Sequence, residues 1–349
     1  MNESLGMRKR GHRVIIIAQD DSTILKKARE SGLEAISLSF RKKDYPKTFL
    51  GLMRAIKALK PDVINTHSSR DSWLATLASK ASRHGSIVIR TRHISTPVAA
   101  NWTSSLIYGK LPDMVVTTAE AIREALITSN RVEPGRVVSI PTGIDTKAFD
   151  PACPRPDLRA ELGLPAATQL VGMVSVLRSW KGHDYFIEAA ALLAVRFPGA
   201  RFIIAGDGPR KAALARMIGE KGLGDMVIMV GHREDVPTVL SSLDVFVQPS
   251  YANEGVPQSV LQAMAMKVPV VATDLKPFRE LITDNATGLL VPVRDAEGLA
   301  NKIALLLNDR GLGARLSERA RGLVVERFSI ERMLDSTERL YASMLRANA

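Results

Sequence analysis

The residues best suited to chemistry lie between Gln248 and Asp274, in the run QPSYANEGVPQSVLQAMAMKVPVVATD. Extended sequence ends at Asn253 or Glu254, a glycine and a proline follow, and an apolar helix begins. Proline suits the first helical turn, where its missing N–H would have had no partner, so Pro257 predicts the helix start. The free amides around Gly255 and Val256, with the positive end of the helix dipole, favour an anion such as phosphate, and Gly255 lets the backbone come close. Glu254 is badly placed for phosphate and well placed for hydroxyl groups. Together the amides and the carboxylate imply a ligand that is phosphorylated and rich in hydroxyls, as a nucleotide sugar is.

Short β-branched runs alternate with helical stretches along the chain, the pattern of parallel sheets built from βαβ units. One series of strands is expected near residues 13–18, 33–38, 62–66, 86–91, 114–117 and 137–140. The segment PTGIDTKAFDPACPRPDLRAELGLP then loses all period and reads as an interdomain connection. A second series follows in VGMVSV, RFIIAG, MVIMVG, DVFVQP, PVVAT and GLLVP, with helical sequence from Ala296 onward. At 349 residues the chain fits two α/β domains of roughly 150 to 200 residues. They are expected at 1–150 and 151–328, with a final helix over 329–349 packing back toward the first. Open parallel sheets bind ligands beyond the carboxyl ends of their strands. The loops to inspect are therefore LRSWKGH, DGPR, HRED and SYANEG in the second domain and HSSRDSW and RHISTP in the first.

Hydrophobic residues make up 46% and charged ones 24%, and no apolar run approaches the ~20 residues of a membrane span. The single Cys153 excludes an internal disulfide and fits a reducing cytoplasm. The net charge of +12 is unevenly spread. Residues 1–150 hold 24 Lys and Arg against 14 Asp and Glu, a balance of +10, and the remainder carries only +2. The helix expected after Pro46 sets Lys47, Arg54, Lys57 and Lys60 opposite Phe49, Leu50, Met53 and Ile56. Such a helix serves either as a solvated face over a packed core or as a dock for an anionic membrane surface. No aromatic interleaving or nucleic-acid motif accompanies the charge.

The ordered set PTGID, RSWKGH, AGDGP, GHREDVP, LDVFVQPS, EGVPQSVLQAMA, PVVATD and TGLLVP resembles the family four retaining glycosyltransferases of the GT-B fold over nearly the whole chain. The resemblance implies two Rossmann-like domains with parallel sheets facing across a cleft. It also implies transfer of a sugar, without metal or cofactor, from a nucleotide-sugar donor to a glycan or glycolipid acceptor. Surface polysaccharide or lipopolysaccharide assembly, in the cytoplasm or peripherally on the inner face of the plasma membrane, is the expected setting. Glu254 matches the first of two family glutamates, near the donor sugar hydroxyls. The second position is Gln262, which still hydrogen-bonds a ribose but brings no charge. Lys181 matches the lysine that neutralises the donor diphosphate as the leaving group gains charge. The family arginine five residues earlier is replaced by Val176, with Arg178 as the nearest substitute. Gly206 and Gly208 resemble a sugar-nucleotide loop, and His232 and Arg233 open the loop that lies beside the base, through backbone or stacking. In the first domain His67 matches the histidine that contacts the donor sugar, while Arg92, His93, and Arg70 or Asp71 resemble acceptor-side residues.

Relatives begin with a strand, a glycine-rich loop and a helix whose end resembles MRKRGHRV. By that likeness the chain as written lacks the first strand and loop and is expected to be poorly active. Two other functions compete with glycosyl transfer. Gln262, Val176 and the shortened start suit a non-catalytic nucleotide-sugar-binding protein, and a dinucleotide oxidoreductase is disfavoured because no strand leads into a complete GxGxxG.

Overall fold

Each of the β-branched runs becomes a strand, and each parallel connection passes through a helix because two parallel strands cannot be joined by a tight turn. The computed structural model describes every residue except 94, 95, 100, 253 and 349. The chain forms two compact units, Met1–Gly143 with Ile330–Ala349, and Ile144–Ser329. The unit boundary thus falls at 143/144, and residues 144–150 group with the second unit.

The first unit contains α1 (Asn2–Lys9), β1 (Ile15–Ala18), α2 (Thr23–Glu30), β2 (Glu34–Ser37), α3 (Tyr45–Leu59), β3 (Val63–Thr66), α4 (Ser69–Ser82), β4 (Ile87–Arg92), α5 (Trp102–Ser105), β5 (Met114–Thr117), α6 (Glu120–Thr128) and β6 (Val137–Ser139). Its described strands fall into two parallel sheets, β1-β2 and β3-β4-β5-β6. Ile15 stands opposite Glu34, Val63 opposite Ile87, Ile89 opposite Met114 and Val115 opposite Val137. β1 and β3 are not hydrogen-bonded to each other. Even so, Ile17 and Ile64 pack on one cluster of Leu52, Ile56, Ala75 and Ala78 from α3 and α4. All four residues of β1 stay only half-buried, whereas Ile87, Val88 and Ile89 of β4 are fully inside. On α3, Leu52 and Ile56 face the core, and Lys47, Arg54 and Lys57 face solvent. Leu50, expected on the core side, is 50% exposed among those cations.

The second unit contains α7 (Leu158–Glu161), β7 (Leu170–Val174), α8 (His183–Leu193), β8 (Arg201–Ala205), α9 (Lys211–Glu220), β9 (Val227–Gly231), α10 (Val236–Ser241), β10 (Val245–Gln248), α11 (Gln258–Ala265), β11 (Val270–Thr273), α12 (Lys276–Arg279), β12 (Leu289–Val291), α13 (Ala296–Asn308) and α14 (Arg310–Arg327). One six-stranded parallel sheet runs β12-β11-β10-β7-β8-β9. Its inner strands are buried on both faces, so they read as continuous apolar runs rather than alternating ones. A single cluster joins Val171, Met173, Phe186, Phe202, Ile204, Val245, Val247, Val271 and Ile303. The helical sequence after Ala296 breaks at Asp309, whose carboxylate accepts from the Leu312 amide and so caps α14. The last helix, α15 (Ile330–Asn348), belongs to the first unit. There Met333 and Leu334 pack with Met7, Ile87, Ile89 and Ile140, and Arg10 pairs with Asp335 and Glu338. No described helix is long and apolar enough to cross a membrane.

Candidate active site

In the second unit three loops press together beyond the ends of β7, β8 and β10. Gly182 closes the turn after β7 with φ of 78°, and a Cβ on it would overlap the carbonyl oxygen of Pro249 just beyond β10. Gly206, with φ of 147°, would likewise collide with the carbonyl of Ser175. Only glycine meets both the left-handed backbone and the close approach. Gly208 sits beside Gly206 against the backbone of Leu177. The Tyr251 amide completes the junction by donating to the Trp180 carbonyl over 2.9 Å.

That junction sets Lys181 against Glu254. The Lys181 ammonium donates to both carboxylate oxygens, at 2.8 and 3.0 Å, and the Glu254 side chain is only 5% exposed. Ser250 donates to the same carboxylate at 2.6 Å, and Gln248 donates to Ser250 at 2.8 Å while accepting from Ser259 of α11 at 3.0 Å. Thr273 of β11 donates to the Ser250 carbonyl. A buried ion pair is tolerable only when its remaining lone pairs are satisfied, and this chain of hydroxyl and amide groups does so. Glu254 is therefore engaged with Lys181 rather than free to receive hydroxyls. A ligand that enters must part the pair or bridge it.

The α11 entrance lies beside this network. Pro257 occupies the cap position, one residue before the first helical turn, with ψ of 112°. Val256 and Pro257 are buried and Gly255 half-buried; Asn253 lies outside the described residues. The Pro257 cap makes no side-chain hydrogen bond to the helix, whose N-terminus carries the positive end of its dipole. Gln262 is half-buried on α11 and makes no side-chain hydrogen bond among the described residues. The Arg178 guanidinium lies 5.2 Å from the centre of the Trp180 ring, and Val176 is exposed.

Arg233, expected on the base side, is held by two acids. Its guanidinium holds Glu161 at 2.5 and 2.9 Å and Asp235 at 2.9 and 2.8 Å, keeping both carboxyls below their usual pKa range. These bonds use the in-plane N–H groups of the guanidinium; neighbouring His232 is exposed. His183, which opens α8 directly after Gly182, is fully buried, and desolvation lowers its pKa to about 4. Its Nε2 lies 3.1 Å from the Ser175 hydroxyl.

In the first unit the loops after β3 and β4 meet. His67 Nδ1 lies 3.0 Å from His93 Nε2, with the rings stacked 20° from parallel. Both pKa values are lowered by desolvation, that of His67 also by proximity to His93. One shared proton between two imidazoles fits that geometry. Asp71 accepts from the His67 and Ser68 amides and completes a capping box on α4, so it is structural here. Arg70 is exposed, with no hydrogen bond or ion pair among the described residues, and Arg92 points to Tyr108. Sequence reading overlooked Gln248, Ser250, Arg90 and Tyr108. The signal was there in polar residues at strand ends otherwise buried, QPS after β10 and an arginine within IVIRTR.

Comparison with known proteins agrees with these two halves. The family model for glycosyltransferase family 4 matches residues 1–148, and that for glycosyl transferases group 1 matches residues 154–323. The lipopolysaccharide core biosynthesis mannosyltransferase LpsB of Rhizobium meliloti is 32% identical over 252 residues, covering 70% of this chain and 69% of that protein. An Escherichia coli UDP-Gal:alpha-D-GlcNAc-diphosphoundecaprenol alpha-1,3-galactosyltransferase is 27% identical over 311 residues, 86% of this chain and 80% of that one. A glycosyltransferase structure from Rickettsia africae superposes with a TM-score of 0.90 at 23% identity, covering 99% of this chain and 93% of the other. Anabaena HepE in complex with UDP does so at 0.85 and 19%, covering 98% and 96%. The chain belongs to the family 4, group 1 glycosyltransferases and has their GT-B fold.

Proposed function

We propose that the protein transfers a sugar, with retention of configuration, from a nucleotide-sugar donor to a glycan or glycolipid acceptor in lipopolysaccharide or surface polysaccharide assembly. The observation that carries this reading is the Lys181–Glu254 pair beside the N-terminus of α11. A donor bridges it: Lys181 turns to the diphosphate, Glu254 to the sugar hydroxyls, and the amides of Gly255 and Val256 take the remaining phosphate oxygens. The bond from the anomeric carbon to the phosphate oxygen breaks as that from the same carbon to the acceptor oxygen forms on the same face. The acceptor proton passes to the leaving phosphate, so no separate base is required. Gln262 holds the ribose, Arg178 and the Gly206–Gly208 loop flank the phosphates, and His67 approaches the sugar. Arg70, Arg92 and His93 are assigned to the acceptor.

The names of relatives support the substrate classes. One acts on a lipid-linked diphosphate sugar with UDP-Gal, another belongs to lipopolysaccharide core synthesis, and HepE has been seen with UDP-glucose. Lys47, Arg54 and Lys57 around the outward Leu50 suit an anionic membrane surface that carries the acceptor. The test is transfer from UDP- and GDP-sugars to a lipid-linked acceptor in anionic or neutral vesicles. Transfer faster on anionic vesicles and reduced at least ~100-fold in Glu254→Gln supports the reading. Donor binding with no transfer by the parent chain would support a non-catalytic binding protein instead.

A further inference from the structure

We propose that a cavity within the first unit binds a phosphoryl group, that of the acceptor. The naming of the acceptor rests on the glycosyl-transfer reading; the anion site does not. The cavity has a volume of about 340 Å³, lies beyond the carboxyl end of β4, and is lined by Ser69, Trp73, Arg92, Thr96, Ile107 and Tyr108 among others.

Arg92 lines it, and Arg90 donates to Ser69 and Tyr108 of its wall. Arg90 and Arg92 alternate along β4 and so share one face. Arg90 is only 4% exposed, and its Nη2 donates to the Tyr108 hydroxyl at 2.8 Å and to Ser69 Oγ at 3.2 Å. Its Nη1 reaches the Ser68 carbonyl at 3.5 Å, and its buried Nε has no partner. Arg92 Nη1 donates to the same Tyr108 hydroxyl at 2.6 Å, and Nη2 to the Thr96 carbonyl. The two guanidinium carbons lie 4.1 and 5.5 Å from the Tyr108 ring centre.

Every acceptor in that set is neutral. No carboxylate lies within ion-pair distance of either arginine among the described residues, and the acid of the adjoining turn, Asp71, is held by backbone amides. Two cations converging on one phenol, one of them buried, repel each other and lack the counter-charge that burial demands. An anion in the cavity supplies it. The Tyr108 hydroxyl already accepts twice and its own proton has no acceptor among the described residues, which adds a donor beside the Arg92 fork and Ser69. Several convergent donors match the three terminal oxygens of a phosphoryl group and guanidinium recognition of phosphate. Trp73 and Ile107 form an apolar wall for the alkyl chain or sugar ring that the phosphate carries.

The experiment titrates inorganic phosphate, octyl phosphate and glucose 1-phosphate into the full chain carrying Lys181→Ala, which removes the ammonium of the second unit, followed by calorimetry. Millimolar phosphate binding that weakens roughly tenfold in both Arg92→Gln and Tyr108→Phe is expected. Tyr108→Phe keeps the ring and its packing, so an unchanged melting temperature in that variant separates lost recognition from lost folding. Tighter binding of octyl phosphate assigns a lipid phosphate, and tighter binding of glucose 1-phosphate a glycan phosphate; either order supports the site. Absence of phosphate binding, or binding unchanged in both variants, would overturn it whatever the transfer assay gives. No transfer by the parent chain, with phosphate binding in the Lys181→Ala chain intact, would sink only the glycosyl-transfer reading.

Discussion

The two units are built from the same alternation of strand and helix and differ in cohesion. The second has one six-stranded sheet, a large cluster reaching from Val171 to Leu316, and further buried residues such as Phe246, Leu261 and Phe278 outside that cluster. The first divides its described strands between two sheets and its core among separate clusters around Met7, Tyr108 and Leu52. In the second unit the buried Gln248, Ser250, Glu254 and Thr273 join Lys181 in one network at the ends of a continuous sheet. In the first unit the buried Arg90 ties β4 to Ser69 of α4 and to Tyr108. Continuous backbone pairing thus permits a precise site, and side-chain packing alone permits a more adaptable one.

The sharpest way to break that comparison is Gly182→Ala. The added methyl meets a backbone carbonyl at a positive φ, so neither partner can yield cheaply. We expect a loss of about 3 kcal/mol or more in the transition of the second unit and abolished transfer, read by calorimetry and the transfer assay. Stability and activity near the parent values would show that the junction of the loops is soft.

Acid is the next lever. The buried His183 has its pKa lowered to about 4 from 6.5, so the unfolded chain takes its proton first as pH falls. Its contribution is whole above pH 6.5 and declines as pH drops through the folded value near 4, by no more than about 3 kcal/mol in all. Thermal scans from pH 7.5 to 4.5 should show the second unit losing that dependence in His183→Gln; an unchanged slope would count against it.

The smallest effect sharpens the contrast from the other side. Lys60 ends α3 in the left-handed region with φ of 48°. Lys60→Gly should stabilise the first unit by about 0.5 to 1 kcal/mol, raising its transition and leaving that of the second in place. A shift of both together would mean that the units melt as one.

Much of this was legible in the sequence because the hydrophobic period speaks for each element separately. All strand positions followed from β-branched runs, and the approach to α11 followed from Gly255 and Pro257. Pairing is a relation between distant segments, and nothing in IIIA or VINT states that β1 and β3 fail to meet. The same limit hid the site's internal partners. Glu254 and Lys181 were each conspicuous, but their mutual bond depends on two loops 73 residues apart. Leu50 misled for a simpler reason: helical spacing gives a face, and the width of the buried stripe decides which edge residues stay out.

The divided sheet has a consequence for how the molecule opens. The β1–α2–β2 segment bonds through its backbone only within itself and meets the rest of its unit chiefly through side chains such as Ile17 on α3 and α4. A pair of strands alone is marginal in water. This segment is therefore expected to open at lower free energy than the β3–β6 sheet. Its release bares the edges of β1 and β3 together, and those edges are where proteases and strand exchange between copies first gain a hold.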